Sequence, residues 1–134
     1  MRLLVASLLL MAIACSKKSQ FRPASLEGKV LTGTVTSSSG TFSDLEGYQF
    51  RTLFTSKNQF ETKNNQGAIE SLGQYDFKKN RLILQSNFPL HPNETIEVFL
   101  HFTDPHSGTY EARRVDDKSS EQSGIFSLKQ HATH

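Results

Sequence analysis

Hydrophobic and polar residues alternate along most of the chain from Leu26 onward. The segment TIEVFLHFT places Ile96, Val98, Leu100 and Phe102 on one face and Glu97, Phe99 and His101 on the other. The segment YQFRTLF repeats this pattern with Tyr48, Phe50, Thr52 and Phe54. A period of two places such side chains on one face of an extended strand. Both segments are therefore predicted to be strands with one buried face.

The same pattern predicts about eight strands in the chain, separated by turns rich in Gly, Asn, Asp, Ser and Pro. The predicted segments are 29–36, 48–54, 59–63, 72–78, 81–85, 95–103, 109–115 and 124–129. Links of hairpin length favour an all-β fold, a single antiparallel up-and-down meander. Closure into a small barrel removes the exposed edges of such a sheet, so a barrel is predicted, with a β-sandwich as the alternative.

Glycine recurs at a fixed distance from large apolar residues. Gly-x-aromatic occurs at Gly40, Gly73, Gly108 and Gly124, and seven of the eight glycines have an apolar residue two positions later. Residues i and i+2 share a face of a strand. We expect each of these glycines to lie beside a large inward side chain, where it leaves room in a narrow barrel or permits a bend or bulge.

The order of short motifs along the chain resembles that of small calycin-like, lipocalin-type barrels of bacterial secreted proteins. The motifs are GQYDF at 73–77, RLIL at 81–84, IEVFLHF at 96–102, GTY at 108–110 and GIF at 124–126. The resemblance covers roughly residues 26–129. The chain is shorter than a lipocalin and contains no Trp, so the lipocalin Gly-x-Trp signature is missing.

The N-terminal sequence is typical of an exported protein. An apolar run from Leu3 to Ala14 is too short to span a bilayer as a helix and has the form of a secretory signal. Ala12 and Ala14, directly before Cys15, resemble the lipobox of bacterial lipoproteins. That resemblance implies that Cys15 is acylated and anchors the protein in the cell envelope, at the outer membrane in a Gram-negative bacterium. The alternatives are an ordinary signal peptide with a chance cysteine and a buried apolar segment.

These features divide the chain into four parts. They are a signal peptide at 1–14, a lipidated N-terminus and tether at 15–25, a barrel at 26–130 and a disordered tail at 131–134. Cys15 is the only cysteine, so no disulfide is expected within the chain. The formal net charge of +2 gives no reason to expect nucleic acid as a partner.

The residues that carry chemistry form no recognisable catalytic set. His101, Asp104 and His106 have a spacing that suits a metal ion, but DPHSG is also ordinary turn chemistry. We therefore predict a solvated turn there, with no metal and no cofactor. The chain has no G-x-S-x-G nucleophile elbow.

The sequence favours a non-enzymatic, lipid-anchored binding module for a small apolar ligand or an envelope partner. The predicted ligand-binding residues are Phe50, Tyr75, Val98, Leu100, Tyr110 and Phe126. A cavity of at least ~300 Å³ inside the barrel would favour a ligand. A filled interior would move the function to Leu53, Phe99 and the loop FPLHPN, 88–93. The alternatives are an enzyme inhibitor, for which the only indication is Ser107-Gly108-Thr109-Tyr110, an enzyme that acts on envelope material, and a purely structural role.

Overall fold

A computed structural model describes residues 21–89 and 94–131. The described residues contain eight strands and one short 3-10 helix, Gly40–Phe42, and no α-helix. The strands are β1 (Lys29–Ser38), β2 (Gln49–Phe54), β3 (Gln59–Asn64), β4 (Ile69–Lys78), β5 (Arg81–Pro89), β6 (Glu94–Asp104), β7 (Ser107–Arg114) and β8 (Glu121–Gln130). Each predicted strand is present. The signal peptide and Cys15 lie outside the described residues.

The eight strands form a closed antiparallel barrel in meander order. Each strand pairs with its neighbour in sequence, and β1 closes the barrel by pairing with β8 from Lys29 opposite Gln130 to Ser38 opposite Gln122. Closure leaves no unpaired edge among these strands. The predicted barrel is therefore confirmed, and the β-sandwich alternative is wrong.

The alternation of side chains in the strands also follows the prediction. In β6 the apolar residues at even positions enter the core, where Val98 and Leu100 are buried and Ile96 and Phe102 pack against them. His101, at an odd position, is exposed. Every strand thus contributes inward side chains to the core.

The two ends of the barrel differ in their connections. At one end the strands are joined by short turns, and Leu26 packs into the core with 1% of its surface exposed. The backbone N–H of Gly28 donates to the Phe54 carbonyl at 2.8 Å, and that of His131 donates to the Gly28 carbonyl at 2.8 Å. We call this the closed end. The open end carries the longer connections 39–48 and 115–120.

Three of the four Gly-x-aromatic glycines occupy the same local geometry. Gly73, Gly108 and Gly124 are each paired beside a register shift between two strands. At each of them, an added Cβ atom would overlap a backbone carbonyl oxygen of the neighbouring strand, that of Gln85, His101 and Thr34 respectively. The glycines therefore permit close approach of strands at the bulges on which the closed barrel depends.

The fourth copy has a different role, and the expectation of a shared strand face is wrong for it. Gly40 lies in the 3-10 helix at φ +62°, a backbone conformation that favours glycine. A Cβ atom there would lie 2.6 Å from Ser120 Oγ and 2.7 Å from the Ser119 carbonyl oxygen. The expectation also fails at Gly28 and Gly67, which have positive φ and lie outside the strands.

Candidate functional site

The interior of the barrel contains a cavity of about 430 Å³, which extends from the open end down to Phe54 and Leu82. Its wall is built mainly from inward side chains of the strands. The apolar residues that line it are Leu31, Val35, Phe42, Leu45, Tyr48, Phe50, Phe54, Leu82, Leu84, Ile96, Val98, Leu100, Tyr110 and Ala112. This volume lies within the range of about 300–1,000 Å³ that is common for small-molecule sites.

Four of the six residues predicted to bind ligand line this cavity. They are Phe50, Val98, Leu100 and Tyr110. The Phe50 and Tyr110 rings meet edge to face, with centroids 5.8 Å apart. Their role in ligand binding stays a prediction, but the fold brings them together around one space.

The other two predicted residues, Tyr75 and Phe126, are buried in the closed half and are not part of the cavity wall. The Tyr75 hydroxyl donates to the Ser56 carbonyl in the β2–β3 turn at 2.7 Å. The Phe126 ring packs edge to face against Phe102, with centroids 5.1 Å apart. Both rings therefore contribute to the packed core that closes the barrel below the cavity.

The connection between β1 and β2 lies over the open end. It contributes Thr41, Phe42 and Leu45 to the cavity wall. Phe42 is buried and Leu45 is half-buried. Neither residue was predicted to have this role, because the connection shows no periodic pattern that would indicate which side chains point inward.

Ser120 holds this connection in place. It is fully buried, and its Oγ accepts hydrogen bonds from the Thr41 backbone N–H at 2.9 Å and the Thr41 hydroxyl at 2.8 Å. Ser120 Oγ in turn donates to Asp117 at 2.7 Å. Hydrogen bonds from Ser119 and Ser120 hold the pKa of Asp117 below its usual value, so its carboxylate remains a charged acceptor. Thus the 115–120 loop fixes the cover of the cavity.

Most polar groups in the cavity wall hydrogen-bond to one another. The Tyr48 hydroxyl donates to Glu70. The Thr52 and Thr62 hydroxyls are 2.8 Å apart. The Tyr110 hydroxyl donates to Gln122 Oε1 at 2.8 Å. Such pairing lets a mostly apolar space tolerate polar side chains.

Burial makes the Tyr110 phenol less acidic. Removal from water raises the pKa of its phenol far above the usual value. A phenol is already protonated at physiological pH, and burial extends this neutral form to higher pH, so the hydroxyl donates to Gln122. Tyr110 is thus a neutral part of the wall rather than a proton acceptor.

At the rim, Arg114 and Glu94 also face the cavity. Arg114 Nε lies 4.0 Å from Glu94 Oε1. Glu94 is buried, with 7% of its surface exposed. Sequence reasoning did not select either residue, although Arg114 continues the inward alternation of Tyr110 and Ala112.

An ion-pair cluster on the outer face of the barrel buries the side chain of Glu97. The alternation predicts an outward side chain, but Glu97 is only 6% exposed. Arg113 donates to its carboxylate at 2.6 and 2.8 Å, and Arg81 donates at 2.5 Å. Burial acts to raise the pKa of Glu97, but these hydrogen bonds outweigh it and hold the pKa below the usual value. Glu97 is therefore a paired anion covered by its partners.

Leu53 and Phe99, the outward apolar residues predicted as contact surface, are half-buried. The Arg113 guanidinium lies 5.9 Å from the centroid of the Phe99 ring. A depression of about 300 Å³ beside Phe99 has a largely polar and charged wall that includes Glu111, Arg113 and Glu121. Leu90 and the rest of 90–93 lie outside the described residues.

His101 lies in β6, and Asp104 and His106 lie at the turn between β6 and β7. Asp104 accepts hydrogen bonds from the His106 backbone N–H at 2.7 Å and from the Ser107 hydroxyl at 2.6 Å. His101 Nε2 lies 3.9 Å from Glu111 Oε2. Within 21–89 and 94–131, no group of three or more His, Cys, Asp or Glu residues is arranged to hold a metal ion.

No protein-family profile, no curated protein and no solved structure matches this chain. The resemblances to bacterial lipoproteins and to calycin-like barrels therefore stay predictions, whereas the eight-stranded antiparallel barrel rests on its strand pairing. In the part of the chain that the structure describes, no helix combines the length and apolar character needed to cross a membrane.

Proposed function

We propose that this protein is a lipid-anchored, non-catalytic binding module that holds a small apolar ligand inside its barrel. The observation that carries the proposal is the 430 Å³ cavity with its mainly apolar wall. A narrow barrel that served only as a scaffold would be expected to fill its interior with side chains. Apolar walls with a few polar groups at defined places are typical of small-molecule sites.

The volume limits the size of the ligand. At roughly 30 Å³ for each water-sized group, 430 Å³ accommodates on the order of 14 such groups. A chain of about ten carbons with one small polar group, about eleven groups in all, fits within this limit. Burial of such a chain is favourable by about 0.8 kcal/mol for each methylene group removed from water.

The barrel topology allows the protein to be anchored at Cys15 without obstruction of the cavity. The described chain enters the barrel at the closed end, where Leu26 packs into the core. The cavity is bounded at the opposite end by the 39–48 connection. A tether that leads from Cys15 to Leu26 therefore does not need to cross the cavity mouth. The location that we propose is the bacterial cell envelope, at the outer membrane in a Gram-negative source.

The binding proposal is tested by filling the cavity. Ala112 lines the cavity and is buried, so tryptophan at this position occupies space that a ligand would need. We expect Ala112→Trp to weaken binding of the apolar fluorophore N-phenyl-1-naphthylamine by about tenfold or more, measured by fluorescence titration.

The matched control is Glu111→Trp, the preceding residue on the outer face of the same strand, whose side chain is 72% exposed. It should bind the fluorophore like the unmodified protein. The chain has no Trp, so the emission of each introduced indole reports its burial. A buried indole in Ala112→Trp with unchanged fluorophore binding, or an unmodified protein that does not bind the fluorophore, would contradict the proposal.

The anchor is tested separately at Cys15. Because Cys15 is the only cysteine, Cys15→Ser should abolish incorporation of radioactive fatty acid and leave an unlipidated precursor or a soluble product. Ser16→Ala, one residue further on, should keep full labelling. Labelling that persists in Cys15→Ser would refute acylation at this residue.

A further inference from the structure

The two ends of the barrel carry opposite charge. The turns, strand ends and entering chain of the closed end hold the basic residues Arg22, Lys29, Lys57, Lys78, Lys79 and Lys129. The acidic residues at this end are Glu27, Asp76 and Asp104. The open-end connections 39–48 and 115–120 carry Asp44, Glu46, Asp116 and Asp117 against a single cation, Lys118. The barrel is therefore basic where the chain enters and acidic around the mouth of the cavity.

The exposed lysines of the closed end do not take part in the ion pairs of the barrel. They are Lys57, Lys78, Lys79 and Lys129. Within 21–89 and 94–131, no ion pair joins any of them to a carboxylate. Near the open end, by contrast, Lys63, Arg113 and Arg114 are each paired with a carboxylate. The positive charge of the closed end is therefore available to a partner outside the barrel.

The chain that leads to Cys15 lies against this basic end. Arg22 Nη1 donates to Asn80 Oδ1 in the β4–β5 turn at 3.4 Å. Lys29 Nζ donates to the Ser25 carbonyl at 3.0 Å. Between Cys15 and Phe21 the chain can extend no more than about 20 Å. An acyl chain on Cys15 would therefore hold the closed end within this distance of the lipid headgroups.

The electrostatics of a membrane surface then favour one orientation of the barrel. Anionic lipids attract Lys and Arg side chains that come within about 10 Å of the surface at ~0.1 M salt. The same lipids repel the acidic connections of the open end. Because the anchor keeps the headgroups permanently close, they reach the lysines ahead of any anion that must diffuse to them.

We infer that the closed end of the barrel docks on anionic lipid headgroups through Lys57, Lys78, Lys79 and Lys129, so that the cavity mouth faces away from the membrane. This inference rests on the lipid anchor of the proposed function, because Cys15 brings the lysines to the lipid surface. The ligand would then enter the cavity from the aqueous side.

The test measures which end of the anchored protein lies on the lipid. Asn58 and Asn65 are exposed and lie in the turns on either side of β3, Asn58 at the closed end and Asn65 at the open end. The chain has no Trp, so Asn58→Trp and Asn65→Trp each give one reporter. The acylated proteins are placed in phosphatidylcholine vesicles with a nitroxide on some headgroups, with or without about 30% phosphatidylglycerol.

With phosphatidylglycerol, we expect the nitroxide to quench the Asn58→Trp indole about threefold more strongly than the Asn65→Trp indole. The difference should disappear in phosphatidylcholine alone and in about 0.5 M salt, where the charges are screened. Equal quenching of the two indoles with phosphatidylglycerol, or stronger quenching of the Asn65→Trp indole, would overturn the inference.

A pair of double variants isolates the lysines. Lys78→Gln with Lys129→Gln should lower the quenching ratio from about threefold to below about 1.5-fold. Lys63→Gln with Lys118→Gln removes the same charge at the open end and should leave the ratio at threefold or above. An equal effect of both double variants would mean that net charge, and not the closed end, sets the orientation, and would overturn the role of these lysines.

The outcomes separate the anchor from the docking. Protein that does not float with the vesicles lacks a working anchor, which removes the anchor of the proposed function and the inference together. Protein that floats but shows equal quenching at both ends keeps its anchor and removes the inference alone. The comparison of lipid mixtures keeps all the lysines, so it decides the docking even where a double variant does not fold.

Discussion

Valine in place of Gly108 is expected to lower the free energy of unfolding by about 3 kcal/mol. Gly108 is buried on the inner face of β7 and pairs with Phe102 beside a register shift. A Cβ atom there would overlap the His101 carbonyl oxygen, which belongs to the backbone and cannot rotate away. The strands would have to separate at a point where closure of the barrel requires them to approach.

The same substitution at Gly73 and Gly124 should cost similar amounts, because each has the same relation to a carbonyl oxygen of the next strand. Glu111→Val is the control, since its exposed, outward side chain lies three residues from Gly108 and should change stability by no more than about 0.5 kcal/mol. Glu97 is unsuitable as a control because it is buried under two arginines. Urea denaturation measures the contrast, and equal tolerance at Gly108 and Glu111 would refute it.

The sequence predicts the strands well because the signal is local. Each strand alternates between a wet and a dry face, so period two identifies the strand and its inward residues without knowledge of its partners. The positions of the glycines are a second, weaker indication of which residues face inward. The shared-face rule is right at Gly33, Gly73, Gly108 and Gly124, which lie in strands. It fails at Gly40, where the physical requirement is positive φ and contact with Ser120.

The alternation of side chains does not determine how far along the barrel axis an inward residue lies. Tyr75 and Tyr110 are both inward, yet Tyr75 packs in the closed half and Tyr110 lines the cavity. The difference depends on strand register and on bulges, which arise from pairing between segments distant in sequence. A predicted inward residue is therefore a candidate for the core and for the cavity in equal measure.

The sequence does contain a signal for the charged part of the cavity wall, because the period of two also places charged side chains inside the barrel. Arg114 follows Tyr110 and Ala112 at a spacing of two, so the period places it inside the barrel. Inward charge at the end of a strand indicates either a rim or a polar site, because a charged group is rarely buried without partners. The cover formed by Phe42 and Leu45 has no comparable signal, because its position depends on Ser120 in a distant loop.

Alanine in place of Leu100 is expected to lower the free energy of unfolding by about 3 kcal/mol. Leu100 is fully buried and lines the cavity, and its backbone N–H donates to the Asn80 carbonyl at 2.9 Å. Shortening the side chain removes contacts with the core and leaves space that the neighbouring strands cannot fill. Because one side of Leu100 already borders a cavity, the cost should lie in the lower half of the range for buried Leu→Ala changes, which is about 2–5 kcal/mol.

The same change should alter ligand selection, because the new space is continuous with the cavity. Each additional buried methylene is worth about 0.8 kcal/mol, so two more carbons should tighten binding by about tenfold where there is room for them. In displacement of N-phenyl-1-naphthylamine, we therefore expect Leu100→Ala to prefer 1-tetradecanol, which exceeds the limit of the unmodified cavity, over 1-dodecanol by about tenfold more than the unmodified protein does. Leu128→Ala is the matched control, since Leu128 is buried but is not part of the cavity wall. It should lose comparable stability without a change in chain-length preference, and an identical preference in all three proteins would show that the alcohols bind elsewhere.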